Sequence, residues 1–323
     1  MGHKDFVTAP LFDNNALHST ASVPSPVEQR ASALKGTAAE RAEFTRHVSV
    51  DVDGYRLANK YIDGLIARSE WTRHPGGFWI LGDGGVGKSF ILDAVYRRYP
   101  PSETQTTRYC PILILSFASR PSESDILISL LLQLGQDPGT LSYQNNSELE
   151  EILLEALPAC KVLGILFDEA HHLWLNTKAK RIADRQGGRL GDFLKVFYDR
   201  SGLAYIFAGT SGLENLLESD TQASTRWAGK IKLQPFADDE KFRGLLYSLD
   251  EALPMQEQMG LSCEPLASQL FNATLGNFRL LKALLAEAVF IAASEGMPKL
   301  TTKHLALAYF AIFCVEATPF DSQ

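Results

Sequence analysis

The run Gly82-Asp83-Gly84-Gly85-Val86-Gly87-Lys88-Ser89 fits the spacing G-x-x-x-x-G-K-[ST] in full. Glycines at these places let a loop wrap a chain of phosphates with its backbone N–H groups pointing inward, and a helix starting at the loop's end adds the positive end of its dipole. In such a loop Lys88 reaches the β and γ phosphates and Ser89 ligates magnesium, so ATP and Mg2+ are the expected ligands. Further on, Ile165-Leu166-Phe167-Asp168-Glu169 is an apolar run that ends in two carboxylates. Asp168 suits the magnesium shell. Glu169 suits the general base that polarises an attacking water, which favours hydrolysis over transfer to another acceptor.

Such groups meet only if the elements between them bring them to one edge. Apolar runs at 78–81, 112–117, 162–167 and 204–208, with a shorter one at 230–233, alternate with helical stretches, the rhythm of βαβ units and a parallel sheet. They lack polar alternation, as strands covered by helices on both faces require. Ahead of them Tyr55, Ala58, Ile62, Leu65 and Ile66 recur at helical spacing until Pro75-Gly76-Gly77 breaks the pattern, so one helix precedes the first strand. After Pro235 the strand signal stops, and 241–252, 264–273, 278–295 and 302–315 read as helices of a small second domain. Residues 1–40, rich in Ser, Ala, Thr and Pro without an apolar period, read as a flexible segment. The expected organisation is this segment, an α/β domain over 41–236 with a five-stranded parallel sheet, and a helical lid over 237–323.

Composition bounds the rest. With 45% apolar and 21% charged residues the chain has the make-up of an ordinary globular protein. Its net charge of −7 is not the footprint of a protein that binds nucleic acid over its whole surface, so any such contact must be local. Lys178, Lys180, Arg181, Arg185 and Arg189, opposed only by Asp184, form one local basic cluster. Cys110, Cys160, Cys263 and Cys314 form no C-x-x-C pair, which points to neither a zinc site nor a disulfide framework. No apolar signal segment opens the chain, and its longest apolar run, 305–315, is far below the roughly 20 residues that span a bilayer. A cytoplasmic setting is expected. His171 and His172 are adjacent with no further ligand at metal spacing, and read as ordinary loop residues.

In order and interval, the segments GDGGVGKS, ILFDEAHHL, IFAGTSGL, STRWAGKIKL and GNFRLLKALLAEA resemble the TniB and TnsC family of AAA+ transposition ATPases, over about residues 40–315. The resemblance implies an AAA+ P-loop fold in which 165–169 is a Walker B box. It implies a sensor 1 role for Thr210 at the end of the fourth strand, although many AAA+ proteins carry Asn there. It further implies a sensor 2 role for Arg279 and an arginine finger at Arg226, acting on a neighbouring subunit's ATP. His47 falls where AAA+ proteins build the adenine pocket. By the same resemblance the protein assembles with ATP on duplex DNA as a ring or filament and links a TniQ-like target selector to the transposase. It then disassembles on hydrolysis. Arg120 and the cluster Lys178, Lys180, Arg181, Arg185 and Arg189 would contact phosphates. The alternatives are an ExeA-like ATPase of secretion or the envelope, a P-loop kinase, and a scaffold that hardly turns over ATP. A replication initiator of the Orc type is expected to carry a winged-helix domain after the lid, for which the chain leaves no room.

Overall fold

Short apolar strands that bury both faces form the sheet on which the nucleotide-loop motifs are mounted. The computed structural model describes residues 25–48, 50, 52–105, 107–117, 121–174 and 188–320. In chain order these give α1 (Pro26–Ala33), α2 (Ala38–His47), α3 (Asp53–Ser69), β1 (Gly77–Leu81), α4 (Lys88–Arg98), β2 (Ser102–Glu103), β3 (Arg108–Tyr109) and β4 (Ile112–Ser116). Next come α5 (Glu123–Gln133), α6 (Pro138–Leu141), α7 (Asn146–Ala159), β5 (Gly164–Asp168), α8 (His171–Trp174), α9 (Gly188–Ser201) and β6 (Ala204–Gly209). The remainder is α10 (Leu213–Ser219), α11 (Thr221–Arg226), β7 (Gly229–Lys232), α12 (Glu240–Ala252), α13 (Leu266–Thr274), α14 (Phe278–Ser294) and α15 (Thr302–Phe313).

Among the described residues the chain divides into two compact units. One holds Leu57–Gly84 and Lys88–Leu233; the other holds the residues up to Arg56, Gly85–Gly87, and those from Gln234 on. The first is built on a sheet of order β4-β5-β6-β1-β7 with every pair parallel. Every residue of β1, β5 and β6 is buried, which explains their unbroken apolar sequences. The edge strand β7 is different: Lys230 and Lys232 alternate along it and pair with Glu214 and Glu218, so the open edge carries charge that discourages pairing with another strand.

One sheet face carries an aromatic cluster. Phe167 of β5 stacks on Phe207 of β6 with centroids 4.8 Å apart, and Phe207 stacks on Trp79 of β1 at 4.1 Å. Trp227, between α11 and β7, packs on Phe207 at 4.9 Å, and its carbonyl accepts the Trp79 Nε1–H at 3.1 Å. Aromatic pairs of this kind contribute about 0.5–1.5 kcal/mol each beyond the area they bury. They fix the order of the strands whose far ends carry the polar residues.

The second unit is helical. The 17-residue α14 is its centre, burying Phe278, Leu281, Leu284, Leu285, Ala288, Val289 and Ala292, and it packs against α2, α13 and α15. Here the structure departs from the sequence reading. Among the described residues three helices, not one, precede β1, and the segment read as flexible to residue 40 is helical from Pro26. Both additional helices start with full capping boxes, Ser25 with Glu28 and Thr37 with Glu40. Arg30 of α1 donates to the carbonyls of Leu253 and Met255 at 2.9 Å each, and Lys282 of α14 donates from its buried ammonium to the Val48 carbonyl at the end of α2. These long-range bonds hold the N-terminal helices on the helical unit. Leu253 follows α12, so the segments before and after the sheet share one body.

Candidate active site

A parallel sheet sends the C-terminal ends of all its strands to one edge, and the polar residues of the sequence motifs follow those ends. The phosphate loop leaves β1 after Leu81, and the Gly82 N–H donates to the Gly209 carbonyl at the end of β6 at 3.1 Å. Asp168 closes β5, and the Ala170 N–H just beyond it donates to the Ala208 carbonyl at 2.8 Å. Thr210 follows β6 directly, and its carbonyl takes the Leu213 N–H at 3.1 Å as α10 begins. Ser211 donates to Asp83 Oδ1 at 2.6 Å, tying the loop after β6 to the loop after β1. Lys88, Ser89, Asp168, Glu169 and Thr210 therefore share one edge.

The Lys88 ammonium is buried and curls back over its own loop, donating to the carbonyls of Gly82 and Asp83 at 2.8 and 2.9 Å. That posture places its charge inside the arch at the start of α4. Gly85 and Gly87 adopt φ of +84° and +97°, which L side chains rarely reach, and a Cβ at Gly87 would overlap the Tyr55 hydroxyl. The middle of the loop, Gly85–Gly87, groups with the second unit. There Tyr55 Oη–H donates to the Val86 carbonyl at 2.8 Å and the Arg279 N–H to the Gly85 carbonyl at 2.9 Å.

Asp168 is 8% exposed, and burial pushes its carboxyl above the ordinary aspartate range. Only in part do hydrogen bonds from the Ser89 side chain and the Glu169 N–H, the latter at 2.9 Å, offset that burial. A desolvated carboxylate touching a P-loop hydroxyl is a donor set of hard oxygens that a cation would complete, so Ser89 and Asp168 fit Mg2+. The loop itself, with its inward lysine at a helix N-terminus, fits a nucleotide's phosphates.

Glu169 stands next to this pair with φ +52°, a left-handed conformation costly for a residue with a Cβ, and its side chain is 41% exposed. His171, opening α8, has Nδ1 3.2 Å from Glu169 Oε2, though off the line that a hydrogen bond needs. Its ring packs on that of His172 at 4.1 Å, and burial holds its imidazole below the ordinary histidine range, hence neutral near pH 7. Sequence spacing reads His171 as a loop residue; it opens α8, with its Nδ1 beside the Glu169 carboxylate.

Arg226 lies at the opposite end of the sheet. It closes α11 just before β7, whose Gly229 pairs with Phe78 at the start of β1, while the phosphate loop follows the end of β1. Five residues at about 3.3 Å each put roughly 16 Å of strand between the two, so Arg226 cannot reach its own chain's loop. Arg226 lines a cleft of ≈ 430 Å³ with Tyr61, Arg68, His74 and Tyr198, and its guanidinium pairs with Asp199 through Nε at 3.1 Å and Nη2 at 2.7 Å. Arg279 stands in the first turn of α14, exposed, with no side-chain hydrogen bond or ion pair among the described residues. His47 ends α2, exposed, with Nε2 2.9 Å from Glu43 Oε1. Arg120, Lys178, Lys180, Arg181 and Arg185 lie outside the described residues, and Arg189 is described only as a position in the first turn of α9.

Solved structures share this architecture. The Aeropyrum pernix ORC1 protein in complex with DNA matches with TM-score 0.56 at 17% identity, over 82% of this chain and 67% of that one. The Aeropyrum pernix ORC2 protein in its ADP form matches with TM-score 0.54 at 15% identity, over 81% and 69%. Drosophila ORC bound to DNA matches with TM-score 0.53 at 14% identity, over 93% and 70%. No curated protein matches by sequence. A five-stranded parallel sheet with the phosphate loop after its β1, followed by a helical unit, is the AAA+ P-loop fold. Within that class the family described as bacterial TniB protein matches residues 49–237, more than half of the chain, and the chain belongs to it.

Proposed function

We propose that this protein is an ATPase that assembles on duplex DNA and regulates transposition, coupling a TniQ-like target selector to the transposase and leaving the DNA on hydrolysis. The observation that carries the ATPase reading is the meeting of Lys88, Ser89, Asp168 and Glu169 on one sheet edge. On this reading Lys88 and the loop from Gly82 to Ser89 hold the phosphates, and Ser89 and Asp168 hold Mg2+, which supplies charge neutralisation at the γ phosphate. Glu169 accepts the proton of the attacking water. Thr210 orients that water, and the sensor 2 role is assigned to Arg279 and the adenine-pocket role to His47.

Membership of the TniB family supports the transposition role. Two of the structural neighbours were determined with DNA, and this supports a DNA-bound working state. Arg120 and the cluster from Lys178 to Arg189 are assigned to backbone phosphates, which gives salt-dependent binding with little sequence preference. Arg226, unable to reach its own loop, is assigned to the ATP of the next subunit, so turnover depends on assembly.

The test is the assembly state of the purified protein with a non-hydrolysable ATP analogue, with and without duplex DNA, by light scattering and electron microscopy. Rings or filaments that need both ligands are expected. A particle that stays monomeric in every condition would leave nucleotide binding standing and remove both the DNA-assembly reading and the finger role of Arg226. In parallel, Glu169→Gln is expected to keep nucleotide affinity and lose about 100-fold or more of turnover. Unchanged turnover would remove Glu169 as the base.

A further inference from the structure

The arginine assigned to the neighbouring subunit's ATP stands on a six-residue helix, α11, and an ion pair to α9 lies at each end of that helix. At its start, Asp220 is the N-cap: Oδ1 accepts the N–H groups of Gln222 and Ala223 at 3.0 Å each, and Oδ2 faces the Lys195 ammonium at 3.2 Å. This pair is buried, with side chains 10% and 7% exposed, and Lys195 also touches the exposed Asp192 at 3.1 Å. At the end of α11, Asp199 grips Arg226 on its Nε and Nη2 edge.

Lys195 and Asp199 are four residues apart in α9 and so lie one turn apart on a single face, about 6 Å along the axis. The two ion pairs have opposite polarity. A slide of α11 along α9 would bring Asp220 toward Asp199, or Arg226 toward Lys195, and set like charges together, so the two pairs define one register. The next residue, Trp227, is fully buried with its carbonyl bound to Trp79, which fixes the backbone beside Arg226. What remains free is the long arginine side chain. The planar two-point grip of Asp199 removes that freedom and leaves Nη1, which among the described residues makes a single 3.5 Å hydrogen bond, to the Gln222 carbonyl, able to donate to a further anion.

We infer that Asp199 and Lys195 are positioning residues for hydrolysis in the adjacent subunit: α9 sets the register of α11, and Asp199 presents the guanidinium of Arg226. The inference rests on the assignment of Arg226 to the neighbour's ATP. It explains why a side chain that must act across an interface already has a fixed posture in the single chain, where a free arginine would lose rotamer entropy on engaging a phosphate.

The experiment uses full-length chains assembled on duplex DNA with ATP. Asp199→Asn is expected to lower kcat by on the order of 10- to 100-fold, the scale of a misplaced catalytic group, with nucleotide Kd unchanged and with partial recovery in Asp199→Glu. Mixed assemblies separate positioning from misfolding. Glu169→Gln chains carry an intact finger and a dead site, so mixing them with Asp199→Asn chains is expected to raise turnover above either alone, as mixing them with Arg226→Ala chains does. Complementation of Arg226→Ala alongside full activity of Asp199→Asn alone would overturn the inference and leave the finger standing. Turnover of Asp199→Asn above the unsubstituted protein would also overturn it, because Asp199 would then restrain the arginine. Wild-type turnover of Arg226→Ala would remove the finger itself and the inference with it. Because Lys195→Met removes a buried partner and could unfold the chain, the decision rests on the half-exposed Asp199.

Discussion

The hydroxyl of Tyr55 donates to the carbonyl of Val86 at 2.8 Å, buried, at the crown of the phosphate loop. Tyr55 stands in the first turn of α3 and packs edge-on against Phe278, so the loop's arch is braced by a helical side chain and not by its own glycines alone. Tyr55→Phe keeps the packing and deletes one buried hydrogen bond. Since such a bond contributes about 0.5–1.5 kcal/mol net, nucleotide Kd is expected to rise roughly 2- to 10-fold. Fluorescent-nucleotide titration checks it; an unchanged Kd would mean the arch holds without the brace.

Asp168→Asn separates the demands of folding from those of the metal. The native carboxyl is buried and disfavoured as a charge, whereas an amide retains an acceptor for the Glu169 N–H at no ionic cost. The variant is expected to be more stable without ligand by about 1 kcal/mol, and to lose the dependence of nucleotide binding on Mg2+. Thermal melts with and without Mg2+ and ATP report both effects, and a destabilised ligand-free variant would contradict the account.

The pairing of Asp199 with Arg226 makes a pH statement. The arginine's hydrogen bonds hold the Asp199 carboxyl below the ordinary aspartate range. The native chain therefore releases that proton more readily than the unfolded chain does. The pair's contribution is complete above the ordinary aspartate value and is lost as pH falls through the depressed one. With side chains 40% and 29% exposed the effect on stability is small, so the carboxyl itself is the better reporter. Its carbon resonance is expected to titrate below the ordinary aspartate value, and to move back up in Arg226→Ala.

In the helical unit, Lys282 is 5% exposed, and its ammonium also lies 5.6 Å above the Phe278 ring. Lys282→Met matches its length and leaves the Val48 carbonyl without this charged donor. A loss of about 1.5–3 kcal/mol is expected, with faster amide exchange through α2. Urea unfolding with hydrogen exchange tests it, and an unchanged α2 would show that the helix is held by packing alone.

Much of this molecule was open to reading along the chain. The strands were legible because burial on both faces demands unbroken apolar residues, and the phosphate loop because its chemistry tolerates few residue types. The helices α1 and α2 were not, because α2 buries only Ala42 and Thr45 and so shows no apolar period. Their capping boxes, Ser25-x-x-Glu28 and Thr37-x-x-Glu40, were the available signal. Asp199 and Lys195 could not be found by spacing, since they meet Arg226 and Asp220 across 27 and 25 residues of chain. His171 was not picked out either, since no local pattern announces its place at the start of α8 or the left-handed turn at Glu169.

The placement of Arg226 at one end of the strands and Lys88 at the other gives each chain a head and a tail. If the arginine serves the next subunit, an open row of n chains holds n − 1 complete sites, while a closed ring of n holds n. A row then hydrolyses more slowly per chain when it is short, and one terminal nucleotide, lacking its arginine, outlasts the others. On that assignment, the geometry of a single sheet would give a growing assembly a measure of its own length and one end that ages more slowly than the other.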